Sequence, residues 1–477
     1  MADSRLPRAA RSAPVRRALG IGLGVALAAC GTVPESPAPD AAADAGSIAL
    51  DAGSTDVDGG TTAPSVFTDP PEIKQDLQRG DSGLEVGQLQ FELKLATGAN
   101  LDEDGRFGQA TLALLHTFEA QARLPTNDVA DAPTRGKLAA LADEAAHALI
   151  KDDEVTGPFE VPEPAEIQAN LATIQTVPGE GDKTGTYHGR VGFSWGDGAE
   201  SESIRQGSPA HLDWVASRDT SRSERRVIGV ISRDEGPFDA VNSYDAGDYT
   251  WGAYQLIGAY RADGYDPADD ELSQGLAAIK RLDPAAFDVD FQRFGLGVDG
   301  TWSGGVLVRP SVRVTLALPD GSVLAGKAVW ERVGTDALYN QIFIDAGADP
   351  RVQRGEVLAA KSVHFDALDA PLANGRPAVR EYLTSERAVA AFLDQELNRG
   401  RLSTLGVYSM AVDAVCSRRG LDPTAPDAWP ETDRAAIEHD LLQEVLAQAS
   451  TSYATRLNRL LASVFLDDGA HSFVPEP

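Results

Sequence analysis

Residues 221–237 read SRSERRVIGVISRDEGP, and this stretch predicts a helix with both of its ends marked. Ser221 and Glu224 form the Ser-x-x-Glu pattern of a capping box, in which each side chain bonds the other residue's backbone N–H. Apolar residues then follow at helical spacing. Gly236 and Pro237 end the helix, because glycine suits the C-terminal cap and proline cannot continue the hydrogen-bond ladder.

Glu235 is therefore expected at the very end of this helix. The negative end of the helix dipole disfavours a carboxylate at that place, and the neighbouring Asp234 adds a like charge. Both effects favour a protonated Glu235 at neutral pH. A general acid needs that state.

Residues 242–255 read NSYDAGDYTWGAYQ, which predicts a Gly/Asp turn between two short strands. A hairpin beside the helix end would bring Asp245 and Thr250 opposite Glu235. Glycoside cleavage needs an acid on the leaving oxygen and a second carboxylate that orients water or stabilises positive charge on the sugar. The sequence thus predicts a glycosidase-type site with Asp245 as its second carboxylate.

The same region contains aromatic residues and two further candidates for the second carboxylate. Tyr249, Trp251 and Tyr254 can offer aromatic faces to sugar rings. Asp239 and Asp248 remain alternatives for the second carboxylate, because both lie close to the predicted hairpin.

Three sequence strings carry a resemblance to known enzymes. Residues 234–236 (DEG), Asp245 and residues 249–252 (YTWG) resemble the Glu/Asp/Thr site of phage-type muramidases in the lysozyme-like superfamily. The Asp-x-x-x-Tyr-Thr-x-Gly pattern is also similar to that of bacterial chitosanases. Residues 252–255 (GAYQ) resemble the Gly-Leu-Met-Gln string of lytic transglycosylases. The three groups agree on Glu235 as the acid and differ on the second group.

This resemblance implies an α+β lysozyme-like catalytic domain over residues 201–477. It implies catalytic roles for Glu235, Asp245 and Thr250. Substrate-binding roles would fall to Tyr249, Trp251, Tyr254 and Gln255. We expect no metal and no cofactor, because the chain has two cysteines and seven scattered histidines without a recognisable ligand motif.

A second module is predicted over residues 72–142. Three short helical patterns surround a glycine-containing turn, residues 102–111, which reads DEDGRFGQAT. Gly105 and Gly108 permit the turn, and Thr111 can cap the helix that follows. The Asp-Gly-x-Phe-Gly-x-x-Thr pattern resembles the three-helix peptidoglycan-binding domain. That resemblance implies peptidoglycan glycan strands as the partner.

The N-terminal region resembles a bacterial lipoprotein signal. Five arginines precede an apolar run that is too short to span a bilayer. The run ends in Leu-Ala-Ala-Cys-Gly, which is similar to a lipobox. We therefore expect a signal peptide over 1–29, lipidation of Cys30 and a tether over 30–71. A lipid-anchored protein facing the periplasm or the cell surface follows, with the membrane contacted only through the anchor.

Charge and patterning limit the remaining possibilities. The chain has 42 Lys+Arg and 72 Asp+Glu, a formal net charge of −30, which excludes nucleic acid as the main partner. Residues 143–200 are acidic and contain Gly and Pro, so they are expected to be a linker. Residues 306–330 alternate in β fashion around Pro-Asp-Gly, which predicts an inserted hairpin. The predicted fold class is mainly α.

Together these features predict a cell-wall glycosidase that cleaves β-1,4 bonds of peptidoglycan, with Glu235 as its acid. One alternative is a chitosanase-like hydrolase, which the negative charge suits because chitosan is cationic. The other is a non-catalytic peptidoglycan-binding lipoprotein. A zinc peptidase is disfavoured, since the histidines do not cluster.

Overall fold

A computed structural model describes residues 73–99, 101–148, 193–194, 208–216, 218–243, 247–260, 265–303, 306–373 and 375–475. The predictions for the signal peptide, Cys30, the tether 30–71 and most of the linker 143–200 lie outside the described residues. Within these ranges the chain is mainly helical with small sheets, which confirms the mainly α class. None of the helices in these ranges has the length and apolar character needed to cross a bilayer.

The first part of the described chain is a three-helix module. Its elements are β1 (Leu77–Gln78), α1 (Leu84–Thr97), α2 (Gln109–Gln121), β2 (Val129–Ala130) and α3 (Ala132–His147). The two strands pair antiparallel. The Asp131 side chain caps α3 by accepting from the N–H of Thr134 at 3.0 Å. Because α3 continues to His147, the boundary expected at residue 142 falls inside a helix.

Helix α1 is buried on two sides. Leu89 and Leu93 belong to the core of the module. Phe91 and Leu95, on the opposite side of the helix, belong to the core of the following domain. The module and that domain are therefore packed against each other through α1.

The following domain contains most of the helices. They are α4 (Pro209–Val215), α5 (Arg222–Glu235), α6 (Glu271–Leu282), α7 (Pro284–Asp290), α8 (Lys327–Val333), α9 (Ala337–Ala346), α10 (Pro350–His364), α11 (Val379–Tyr382), α12 (Glu386–Arg399), α13 (Arg401–Arg419), α14 (Arg434–Gln448) and α15 (Thr451–Leu461). One apolar core runs through this domain.

Small antiparallel sheets flank the helices. One has the order β3 (Phe193–Ser194), β4 (Val241–Asn242), β5 (Gly247–Trp251) and β6 (Leu256–Tyr260). Another has the order β11 (Val323–Ala325), β10 (Arg313–Ala317) and β7 (Leu296–Asp299). A third pairs β8 (Trp302–Ser303) with β9 (Val306–Leu307).

The hairpin predicted for 306–330 is confirmed only in its middle. Strands β10 and β11 pair around the Pro-Asp-Gly turn. Residues 327–333 are helical instead, and this corrects the predicted strand. Val329, Trp330 and Val333 are buried at helical spacing, so packing of one helix face outweighs the local β pattern.

Helix α5 begins and ends where its sequence predicts. Ser221 Oγ accepts from the N–H of Glu224 at 3.1 Å, and Glu224 Oε2 accepts from the N–H of Ser221 at 2.8 Å. At the other end Gly236 has a φ of 150°, which non-glycine residues rarely adopt. Glu235 thus occupies the last helical position.

Glu92 on α1 makes the stability of this fold depend on pH. Burial raises the pKa of Glu92 from 4.5 to about 7, against the opposing effect of a hydrogen bond from Gln88. The folded chain then binds more protons than the unfolded chain between these two values, so stability falls as pH rises from about 4.5 to 7. The difference corresponds to at most ~3 kcal/mol.

We expect Glu92→Gln to abolish this part of the pH dependence, because glutamine keeps the hydrogen bond and cannot ionise. Urea unfolding of the full chain at pH 5 and pH 8 measures the effect. The variant should be more stable than wild type at pH 8 and nearly equal to it at pH 5. Glu85→Gln, on a partly exposed position of the same helix, is the matched control. Equal slopes for wild type and Glu92→Gln would contradict the prediction.

Candidate functional site

The carboxylate of Glu235 is buried at the meeting point of three helices. The residue is 7% exposed. Its Oε1 accepts a hydrogen bond from Asn398 Nδ2 on α12 at 3.0 Å. The same oxygen contacts the guanidinium of Arg456 on α15. The side chain is therefore held by N–H donors from two other helices.

Arg456 also contacts a second carboxylate. Its Nε donates to Asp394 Oδ1 at 2.7 Å, and the Asp394 side chain is fully buried. Asn398 Nδ2 donates in addition to the backbone carbonyl of Asp394 at 2.7 Å. Asp394, Asn398 and Arg456 thus form one polar cluster around Glu235.

Two acids share one cation in this cluster. With both carboxyl groups ionised, Glu235, Asp394 and Arg456 together carry one net negative charge. The guanidinium keeps its positive charge at ordinary pH and presents several N–H donors. It can therefore bind both carboxyl groups at once.

Tyr254 lies next to this cluster, but its ring is 3% exposed and packs near His364 with ring centroids 5.8 Å apart. Burial, together with the negative charges of Asp394 and Glu235, raises the pKa of the Tyr254 hydroxyl well above its usual range. The hydroxyl therefore stays neutral and able to donate. The face of the ring is covered in this structure, and its contact with a sugar stays a prediction.

Thr250, near the end of β5, and Gln255, in the turn between β5 and β6, lie close together. Thr250 Oγ1 is 3.2 Å from Gln255 Oε1, and Gln255 Nε2 donates to the carbonyl of Gly252 at 2.9 Å. A methyl group built on Gly236 would lie 3.8 Å from Gln255 Nε2. Gln255 therefore lies beside the residue that follows Glu235, and the hairpin end adjoins the helix end.

Tyr249 and Trp251 do not face this site as sugar platforms. Both residues are fully buried, and both rings pack on Phe343 with centroids 5.2 Å apart. The indole Nε1 of Trp251 donates to the carbonyl of Phe343 at 2.9 Å. The reason is that β5 lies between β4 and β6 and is covered on both faces. Neither ring face is exposed here, and the contact of these two rings with substrate stays a prediction.

The structure describes two of the three candidates for the second carboxylate. Asp245 lies outside the described residues, so its role stays a prediction. Asp239 and Asp248 are each 1% exposed, and Asp248 is 3.7 Å from Lys327 Nζ. Both rivals are as buried as Thr250, at 1% exposure, so burial does not separate them from the predicted site residues.

Sequence reasoning missed Arg456. A weak signal exists: Tyr453, Leu457 and Leu460 mark the buried face of α15, and Arg456 adjoins that face. A cation beside the apolar stripe of a helix has to find a counter-charge when the helix packs. In the described part of the chain, no group of three or more His, Cys, Asp or Glu side chains is placed to hold a metal ion.

No protein-family model matches the chain, and no curated protein is similar to it. Its function is therefore argued from the geometry around Glu235.

Removal of Arg456 should destabilise the protein, whereas removal of the Glu235 charge should not. Arg456→Met leaves two buried carboxylates without their cation, which costs roughly 3–5 kcal/mol. Glu235→Gln leaves a neutral Arg456–Asp394 pair and keeps an acceptor, so its free energy of unfolding should equal or exceed that of wild type.

Chemical denaturation at pH 7 measures both effects. Arg222→Met, at an exposed position of α5, is the control and should change stability by less than about 0.5 kcal/mol. A loss of similar size in Arg456→Met and Arg222→Met would show that the buried cluster does not depend on the guanidinium.

Proposed function

We propose that the chain is a glycosidase that cleaves β-1,4 bonds of peptidoglycan by general acid catalysis from Glu235. The observation that carries the proposal is the placement of Glu235. It lies at a glycine-terminated helix end, is held by Asn398 and Arg456, and adjoins a hairpin end that bears Thr250. An acid fixed in this way suits protonation of a glycosidic oxygen.

In the proposed reaction, protonated Glu235 transfers its proton to the glycosidic oxygen as the bond from that oxygen to the anomeric carbon breaks. The leaving sugar departs as an alcohol, and the anomeric carbon becomes electron-poor. On the sequence prediction alone, we assign to Asp245 the role of stabilising that positive charge or orienting the attacking water, and to Thr250 a supporting role. The water supplies the new hydroxyl, and its proton restores the acid.

Arg456 and Asn398 favour this transfer through the charge that develops on Glu235. As the proton leaves, Oε1 becomes a carboxylate oxygen. The Asn398 amide, 3.0 Å away, and the Arg456 guanidinium already point at it. Donors that are in place before the reaction stabilise the developing charge without reorganisation.

The substrate class follows from the three-helix module. Its Asp-Gly-x-Phe-Gly-x-x-Thr sequence carries the resemblance to peptidoglycan-binding domains, and the module is packed onto the domain that bears Glu235. We therefore propose peptidoglycan glycan strands as the partner. On the lipobox-like sequence alone we also propose lipidation at Cys30, with the protein facing the periplasm or the cell surface.

A chitosanase-like activity is a second candidate because of the charge of the chain. A formal net charge of −30 attracts a cationic polysaccharide and raises its local concentration. Such attraction weakens as ionic strength rises, since exposed charges are screened within about 10 Å at 0.1 M salt. Digestion of chitosan that falls steeply with salt would favour this second candidate.

Glu235→Gln should lower glycan cleavage at least roughly 100-fold, because it removes the transferable proton and leaves the shape of the side chain. The measurement is release of reducing or anhydro-sugar ends from purified peptidoglycan and from chitosan, resolved by mass spectrometry. Glu331→Gln, at an exposed position with 54% of its side chain accessible, is the control and should keep wild-type activity.

Cleavage of either polymer by Glu235→Gln at the wild-type rate would refute the role of this acid. No cleavage of either polymer by the wild type would refute the glycosidase itself. A wild type that binds sacculi without cleaving them would favour the non-catalytic alternative.

A further inference from the structure

The three-helix module contacts two of the three chain segments that build the cluster around Glu235. The contacts come from α1 and from the turn formed by residues 101–105, named here the docking turn. One set of contacts reaches the start of α4 and the last turn of α5. The other set reaches the chain that follows α15.

On the α5 side, the docking turn makes polar contacts. Asp102 Oδ1 is 2.8 Å from the guanidinium of Arg233, two positions before Glu235. Glu103 is buried and receives a hydrogen bond from Ser208 Oγ, the residue that caps α4. Lys94 Nζ, fully buried, completes the arrangement at 2.7 Å from Glu103.

Aromatic side chains also pack between α1 and α4. Phe91 of α1 stacks on His211 of α4 with ring centroids 5.0 Å apart and an interplanar angle of 18°. It also meets Trp214 edge-on at 5.9 Å. Both partners are buried, so separation of the module would expose large apolar surfaces to water.

On the α15 side, the contact is steric. Phe465 follows the end of α15 at Leu461 and is 3% exposed. A Cβ atom built on Gly87 would lie 2.8 Å from its ring, and one built on Gly105 would lie 2.7 Å from it. The ring is thus seated directly against glycine backbone in the module.

We propose that the module is a positioning element for the acid: it joins the segment that carries Glu235 to the segment that carries Arg456. A module that served only as a tethered wall anchor would need neither the buried contacts to α4 and Phe465 nor the exposed ion pair with Arg233. The positioning role rests on the proposed function, whereas the docking itself can be measured without any substrate.

The test places a larger side chain at Gly87. Gly87→Ala improves helix propensity, so it would stabilise an undocked module. In the docked molecule the new methyl group pushes on Phe465, and Gly87→Leu pushes further. Gly136→Leu is the matched control, because a Cβ atom at Gly136 of α3 meets open space.

Hydrogen exchange and thermal unfolding of the full chain are read first. We expect Gly87→Leu to lower the melting temperature by several degrees and to speed exchange in peptides from 222–236 and 451–466. Gly136→Leu should do neither. Phe465→Ala combined with Gly87→Leu should recover part of the loss, since the new side chain fills the space of the removed ring. If Gly87→Leu does not fold, Gly87→Ala gives the same readout with a smaller shift.

Cleavage of a short soluble oligosaccharide is read second. A positioning role predicts at least a tenfold fall in kcat for Gly87→Leu with KM within about twofold, because misplacement by ~1 Å can cost up to roughly 100-fold. The double variant should regain part of that kcat.

Each of the following results contradicts one part of the proposal. Unchanged or raised melting temperature with unchanged exchange refutes docking. A lowered melting temperature with unchanged exchange at 222–236 and 451–466, or with unchanged kcat, refutes positioning. Absence of cleavage by the wild type refutes the proposed function. In that case hydrogen exchange in 222–236 and 451–466 still tests whether the module docks and whether it joins these two segments.

Discussion

The guanidinium of Arg456, placed between the buried carboxylates of Glu235 and Asp394, is the interaction on which the candidate site depends. Two carboxylates this close repel strongly in an interior of low dielectric constant. A delocalised guanidinium suits the position, since it can donate to both at once and keeps its charge. The three groups come from α5, α12 and α15, so the site exists only when the C-terminal helices are packed correctly.

The surroundings of Asp394 show how the fold accommodates that charge. The phenol groups of Tyr408 and Tyr453 lie near it, and their pKa values are raised far above the usual range, first by burial and then by the Asp394 charge. Neutral phenols are polar enough to face a carboxylate and carry no charge of their own. The helices that close around Asp394 thus present dipoles to it in addition to the guanidinium.

Local features of the site could be predicted from sequence, and long-range features could not. The capping box and the Gly-Pro stop fix the ends of α5 through neighbouring residues alone, so Glu235 was placed correctly. Arg456 is 221 residues from Glu235 along the chain, and no local pattern links the two. The burial of Tyr249 and Trp251 likewise depends on Phe343, which a local alternation of strand residues cannot reveal.

Several buried ionisable groups make the stability of the folded chain depend on pH. Burial raises the pKa of Glu356 well above its usual range, and burial also raises the pKa values of Glu271 and Asp270. Burial alone would lower the pKa of His364, but its hydrogen bond to Glu396 and the charge of Glu271 outweigh that effect and raise it.

A pKa that is raised in the folded state changes stability with pH in the same direction for acids and for histidine. The folded chain holds the proton more tightly than the unfolded chain. Stability is therefore lost as pH rises through the raised pKa. Glu396 works in the opposite direction, because the hydrogen bond from His364 and the charges of His364 and Arg401 outweigh its burial and lower its pKa. Glu356, Glu271, Asp270 and His364 thus add stability that is lost as pH rises, and Glu396 adds stability that is lost as pH falls. The sign at each group follows from the balance between its burial and its charged or hydrogen-bonding neighbours.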